Sequence, residues 1–131
     1  MQQSIHRIEV LVHRCGTLDC HGSSFRNFRV YGDEGLRLAA GDIHVISPTT
    51  VGESDQTFLS LVTLEPEVLT HVVREGGGAP ERLSLIRKAR GLDDHKGGTV
   101  MSAGDDQDRC FTSWLANQPD ENACKRSLLL P

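Results

Sequence analysis

No stretch of this chain approaches the roughly 20 consecutive apolar residues that a transmembrane helix needs, so no membrane partner is expected. The opening residues, Met1-Gln2-Gln3-Ser4-Ile5-His6-Arg7, carry no apolar segment of the kind a secretory leader has. Read that way, the protein is cytoplasmic, and its four cysteines, Cys15, Cys20, Cys110 and Cys124, stay reduced. A clustered basic face is missing too. The 14 Lys and Arg are dispersed, densest between Arg82 and Arg90, and 18 acids leave a formal charge of -4. Duplex recognition concentrates positive charge on one surface, so no direct nucleic-acid contact is expected. Catalytic signatures are absent as well: there is no G-x-S-x-G, no Walker A loop, no H-E-x-x-H and no C-x-x-C.

What is present is ordinary globular composition, 37% apolar and 24% charged over 131 residues. That length suits one domain burying roughly two-thirds of its unfolded surface. Residues 4–64 read as strand-rich. Ile8, Val10 and Val12 form an apolar face against a mixed one of Glu9, Leu11 and His13, and Phe28 and Val30, then Leu36 and Leu38, point inward in the same way. Ile43 to Ile46 reads as a short strand stopped by Pro48, which cannot donate to a ladder. Thr57 to Leu64 is apolar on both faces and reads as a central strand. Turns fall at Gly32-Asp33-Glu34-Gly35 and Ala40-Gly41-Asp42.

The period changes at residue 65. Glu65-Pro66-Glu67 opens a helix whose face is Val68, Leu69, Val72 and Val73. Gly76-Gly77-Gly78 ends it. Pro80 starts a second helix with Leu83, Ile86 and Ala89 on one side, and Gly91 caps it. After a polar loop, Arg109 to Gln118 reads as a third. The helical region is 65–118 and the tail is 119–131, where Leu128-Leu129-Leu130 should dock on this subunit or a neighbour. The fold class expected is α+β within a single domain, 1–131. A small antiparallel β-barrel or curled sheet fills the first half and two to three short helices the second.

His13, Cys15, Cys20 and His21 have the ligand types of tetrahedral zinc. Four donors crowded into nine residues, with Cys20 and His21 adjacent, fit that geometry poorly, so neither metal nor other cofactor is expected. The same loop could supply a Cys–His nucleophile, which is the alternative, enzymatic reading of the chain. Asp93-Asp94 and Asp105-Asp106 read as solvated turns and caps.

Leu36-Arg37-Leu38-Ala39-Ala40-Gly41-Asp42-Ile43-His44-Val45-Ile46-Ser47-Pro48 is followed by Phe58-Leu59-Ser60-Leu61-Val62-Thr63-Leu64 and the helix opener Glu65-Pro66-Glu67-Val68-Leu69. In this order they resemble the N-terminal, cupin-like sensing domain of AraC-type transcription regulators. The likeness covers Leu36 to Val73 and rests on Gly41, Asp42 and Pro48. It implies a small-molecule sensor that dimerises. The histidines of metal-binding cupins are not in place, since Val51-Gly52-Glu53 follows the Pro48 turn and no His-x-His occurs. The helix-turn-helix units of the family are also missing.

The expected function is therefore a small-molecule-binding or interaction module without its own DNA-binding unit, pairing as a homodimer. Phe28, Val30, Leu38, Val45, Phe58, Ser60 and Val62 would line the interior of the barrel and hold the ligand.

Overall fold

Helices build both halves of this chain. A computed structural model describes residues 2–130, with side chains from Ile8 onward. It contains six α-helices: α1 (Gln2–Cys15), α2 (Val51–Val62), α3 (Pro66–Arg74), α4 (Ser84–Ala89), α5 (Asp106–Leu115) and α6 (Glu121–Leu128). Among the described residues there is no strand, only an isolated bridge between Tyr31 and Leu36. The expected barrel or curled sheet, and with it the cupin-like first half, is overturned. The chain divides into two compact units, Met1–Leu64 and Glu65–Pro131. None of the helices is long and apolar enough to cross a membrane.

In the first unit the residues read as a strand at 4–12 lie in α1. Ile8, Val10 and Val12 alternate, but Ile8, Leu11 and Val12 also stand at helical spacing, and all four side chains are buried. The two periods cannot be separated over so short an apolar run. What favours the helix is the absence of Gly and Pro over 14 residues and a basic last turn, His13 and Arg14, set against the negative helix end.

The segment read as a central strand, Thr57 to Leu64, belongs mostly to α2. Its start signal lies seven residues upstream, in a Thr-x-x-Glu capping box. The Glu53 amide donates to the Thr50 hydroxyl at 3.2 Å, and the Thr50 amide donates to the Glu53 carboxylate at 2.9 Å. Glu53, Thr57 and Ser60 then fall at i, i+4 and i+7, on one side of the helix. They serve the backbone of residues 29–38. The Leu38 amide donates to Glu53 at 3.1 Å, the Tyr31 amide to Thr57 at 2.8 Å and the Arg29 amide to Ser60 at 2.8 Å. Backbone groups at a packed surface must find partners. In a sheet a neighbouring strand would supply them; here polar side chains of α2 do. The segments 25–31, 36–39 and 43–46 are therefore irregular, although their apolar spacing suits strands.

Where α1 meets the loop that follows, three glycine backbones touch. A β-carbon on Gly35 would lie 1.9 Å from the Gly16 carbonyl oxygen, and one on Gly22 would lie 2.0 Å from the same atom. Both obstacles are main chain, so no flexible side chain can move aside. Gly35→Ala is expected to cost about 1–3 kcal/mol, the usual range for overpacking, read as a lowered urea midpoint with an unchanged slope. A midpoint equal to that of the parent chain would show that these backbones do not touch.

In the second unit, α3 opens on Pro66 and buries Val72. Gly77, at φ 78°, returns its amide to the Val72 carbonyl at 2.8 Å and lies against Ala116, with no room for a side chain. Pro80–Arg82 forms a single 3-10 turn before α4, where Leu83 and Ile86 are buried. Both the amide and the hydroxyl of Ser84 donate to Glu65. Arg90, just beyond α4, grips the buried carboxylate of Asp108 on α5 through two nitrogens, at 2.7 and 3.0 Å. Asp105 and Asp120 cap α5 and α6, each accepting an amide three residues on. The third helix expected at Arg109 to Gln118 thus starts earlier, at Asp106.

Much of the expected tail is α6, whose Cys124 is joined by a disulfide to Cys110 on α5, both sulfurs out of reach of solvent. The reading of four reduced thiols is corrected for these two. Cysteine spacing carries no information on pairing; helix packing brings these two together. Leu128 ends α6 half-buried, while Leu129 is 83% exposed, so the leucine tail is only partly docked.

Candidate functional site

The seven residues expected to line a common interior do not share one. Phe28 and Val30 are buried, and Phe28 lies beside the His21 ring with centroids 5.0 Å apart. Ser60 and Val62 are half-buried. Leu38, Val45 and Phe58 are exposed. The physical reason is the helical period of α2, which turns Phe58 and Ser60 to different sides where a strand would have kept them together.

The Cys/His loop is ordered by contacts that do not converge on one point. His13 Nδ1 meets Glu34 at 2.6 Å, and His21 Nδ1 donates to the Phe28 carbonyl at 2.9 Å. No group of three or more His, Cys, Asp or Glu able to hold a metal ion occurs among the described residues. Burial, and secondarily the neighbouring Cys20, push the Cys15 thiol up to about 12. A catalytic thiolate needs the opposite shift. The geometry therefore gives no support to a Cys15 nucleophile at neutral pH.

A different arrangement organises this unit, and it centres on a buried ion pair. Glu53 in the first turn of α2 is fully buried. Its carboxylate accepts from Arg37 Nε at 2.8 Å, from Arg37 Nη2 at 3.1 Å, and from the Leu38 and Thr50 amides. Arg37 also donates to the carbonyls of Ile43, Ser47 and Pro48. All five guanidinium donors are thereby used. Burial opposes ionisation of Glu53, but the Arg37 guanidinium and the two amides outweigh it and hold its pKa below the usual carboxylate value. The same contact, chiefly the bond to Glu53, raises the pKa of Arg37. Sequence reading placed Arg37 on a strand and gave Glu53 no element. The Thr50-x-x-Glu53 box was the signal available for α2, but nothing in the sequence pairs Arg37 with Glu53.

Because the polar side of α2 faces inward, its apolar residues face outward. Val51, Phe58 and Leu59 are exposed there, and Val62 is half-buried. Leu38 lies beside Gly52, in the same first turn. The carbonyls converging on Arg37 hold the 43–48 loop near that turn, and Ile43, Val45 and Ile46 on it are exposed. Val45 is kept at φ 66°, a strained conformation for a β-branched residue, by its amide bond to the Asp33 carbonyl at 2.7 Å. Between Arg37 and Arg74 there is no Lys or Arg at all. The result is an apolar surface to which residues 38–73 contribute no Lys or Arg, while exposed Arg29 lies beside it at Ser60.

Comparison of the chain with protein-family models, curated proteins and solved structures gave no match.

Proposed function

We propose that this chain is a helical interaction module that pairs with a second copy of itself through the outward face of α2 and the adjoining 38–46 loop. The observation that supports this is the inverted burial of α2, with Glu53 and Thr57 inside and Val51, Phe58 and Leu59 outside. An apolar surface of this extent on a monomer marks a contact site. Leu38, Ile43, Val45, Ile46, Val51, Phe58 and Leu59 are 41–76% exposed. At on the order of 100 Å² each they approach the ~800 Å² per partner that a standard interface buries.

Charge favours a second copy over a nucleic acid or an anionic surface, because residues 38–73 supply no Lys or Arg and Arg29 beside Ser60 is too little for either. Asp55 is the one acid on the outward side of α2. A two-fold axis beside Phe58 would set the helices antiparallel and leave the two Asp55 carboxylates about 9 Å apart along them, roughly one Debye length at moderate salt. The small-molecule reading needed a barrel interior. Leu38, Val45 and Phe58 serve better as contact residues than as a pocket lining. The buried Cys110–Cys124 disulfide suits an oxidising compartment better than the cytoplasm.

Sedimentation velocity from low micromolar to submillimolar concentration tests the proposal. A reversible dimer is expected, and it should tighten with added salt, since each copy carries -4. A monomer throughout the range would refute self-pairing. A dimer that salt dissociates would be held by ionic and not apolar contacts, and would refute pairing through this face.

A further inference from the structure

We propose that Cys15 and Cys20 form a redox-active dithiol that closes to an intramolecular disulfide by exchange with a low-molecular-weight disulfide of the glutathione type. The two residues sit at the ends of one tight turn. The His21 amide donates to the Cys15 carbonyl at 2.9 Å, and the Cys20 amide to the Thr17 carbonyl at 3.0 Å. The first of these bonds joins atoms each two covalent steps from an α-carbon, which keeps the Cys15 and Cys20 α-carbons within about 8 Å at the limit of full extension. Disulfides span up to about 7 Å between α-carbons, so a small closure of the turn brings the pair into range. The thiols also feel one another, since Cys20 contributes to the raised pKa of Cys15.

The turn is held on both sides. Gly16 lies within it and Gly22 just after it, and both pack their backbones against Gly35. Both residues are partly exposed, with the Cys15 sulfur on the buried side, while the other two cysteines are already joined. The pair is thus the place where oxidation can add a second crosslink, one that would tie the end of α1 to the loop the glycines clamp.

Exchange runs in two steps that balance. The Cys20 thiolate attacks one sulfur of the small disulfide, forms a mixed disulfide and releases one small thiolate, which takes up the proton Cys20 gave. The Cys15 thiolate then attacks the Cys20 sulfur and expels the second small thiolate, which takes up the proton of Cys15. The protein dithiol loses two electrons and the small disulfide is reduced to two thiols. Burial makes Cys15 the poorer nucleophile at neutral pH, which gives Cys20 the entry role and Cys15 the resolving role.

The test equilibrates the full chain, with Cys110–Cys124 intact, against mixtures of oxidised and reduced glutathione. After acid quenching the chain is cleaved between Asp19 and Cys20. Two fragments held together by a Cys15–Cys20 disulfide are expected. The equilibrium constant for closure should be at least tenfold higher in the folded protein than in urea, a comparison that needs no variant. Cys15→Ser should stop at a stable glutathione adduct on Cys20. Three results would overturn the proposal: glutathione adducts persisting on both cysteines of the parent chain, crosslinks chiefly between chains, or a folded-state constant equal to or below that of the unfolded chain.

Discussion

Glu53→Ala is expected to cost the first unit roughly 3–5 kcal/mol, the range for removing one partner of a buried ion pair. The substitution takes from the Arg37 guanidinium, only 9% exposed, its nearest counter-charge and leaves it Asp42 at 3.9 Å. It also leaves the Leu38 and Thr50 amides without their acceptor and removes half of the capping box. Domains of this size are stable by about 5–15 kcal/mol, so the loss is a large share of the whole. Urea unfolding at neutral pH measures it. A loss below about 1 kcal/mol, the level of a surface pair, would show that Glu53 does not anchor the loop. The pH dependence follows in sign. The pKa of Glu53 is lower in the folded chain than in the unfolded one. Its contribution is therefore complete above the unfolded value and is lost as pH falls through the ordinary carboxylate range toward the folded value. Glu53→Gln should remove that acid sensitivity while keeping the shape.

Replacing Cys110 and Cys124 together with alanine is expected to cost the second unit about 3 kcal/mol, as for a closed loop of ~15 residues. The two cysteines are 14 apart in sequence and join α5 to α6. Hydrogen exchange should locate the loss in those helices, where the amides of α6 become the first to open. A reductant strong enough to open the buried bond should reproduce the effect in the parent chain. Equal melting temperatures for the parent and the double variant would mean that the disulfide adds no stability to α5 and α6.

How much of this was legible in the sequence varied with the kind of signal. Punctuation read well: Pro66 begins a helix, Gly77 closes it, and Gly91, at φ 72°, follows α4 as a cap should. Periodicity read poorly where β-branched residues crowd together. Ile8 to Val12 satisfies the strand and helix periods at once, and Thr57 to Leu64, apolar on both faces, belongs chiefly to a helix. There the capping box at Thr50 and Glu53 was the better guide, because it reports backbone geometry directly and does not depend on which face is buried. The tail hid a helix because α6 is mostly polar and is held by Asp120 and by Cys124, a cap and a crosslink, more than by an apolar stripe.

The site was harder to read than the fold. An apolar face ordinarily means core, so the sequence assigned Phe58 and Val62 to the interior. The structure reverses this on α2, because three polar side chains on the other face do the work of a neighbouring strand for residues 29–38. That depends on contacts across 15 to 31 positions of the chain, between Leu38 and Glu53 and between Arg29 and Ser60. Local pattern carries no trace of pairings so distant. Arg37 is the sharpest case: as a single basic residue between leucines it looked like the solvent side of a strand, yet it is the knot of the unit.

Self-pairing through α2 can be read from the dimer dissociation constants of three folded chains, compared by sedimentation equilibrium. The parent chain is set against Val51→Lys/Leu59→Lys, which alters two exposed residues of the proposed face, and against Leu129→Lys, which alters the exposed tail. Both changes lie on the surface, so far-UV circular dichroism should show the parent helix content in all three. The α2 double variant should weaken the dimer at least tenfold, about 1.4 kcal/mol, while the tail variant leaves it unchanged. Loss of the dimer in Leu129→Lys with full pairing in the α2 variant would contradict pairing through α2 and give the contact to the leucine tail instead.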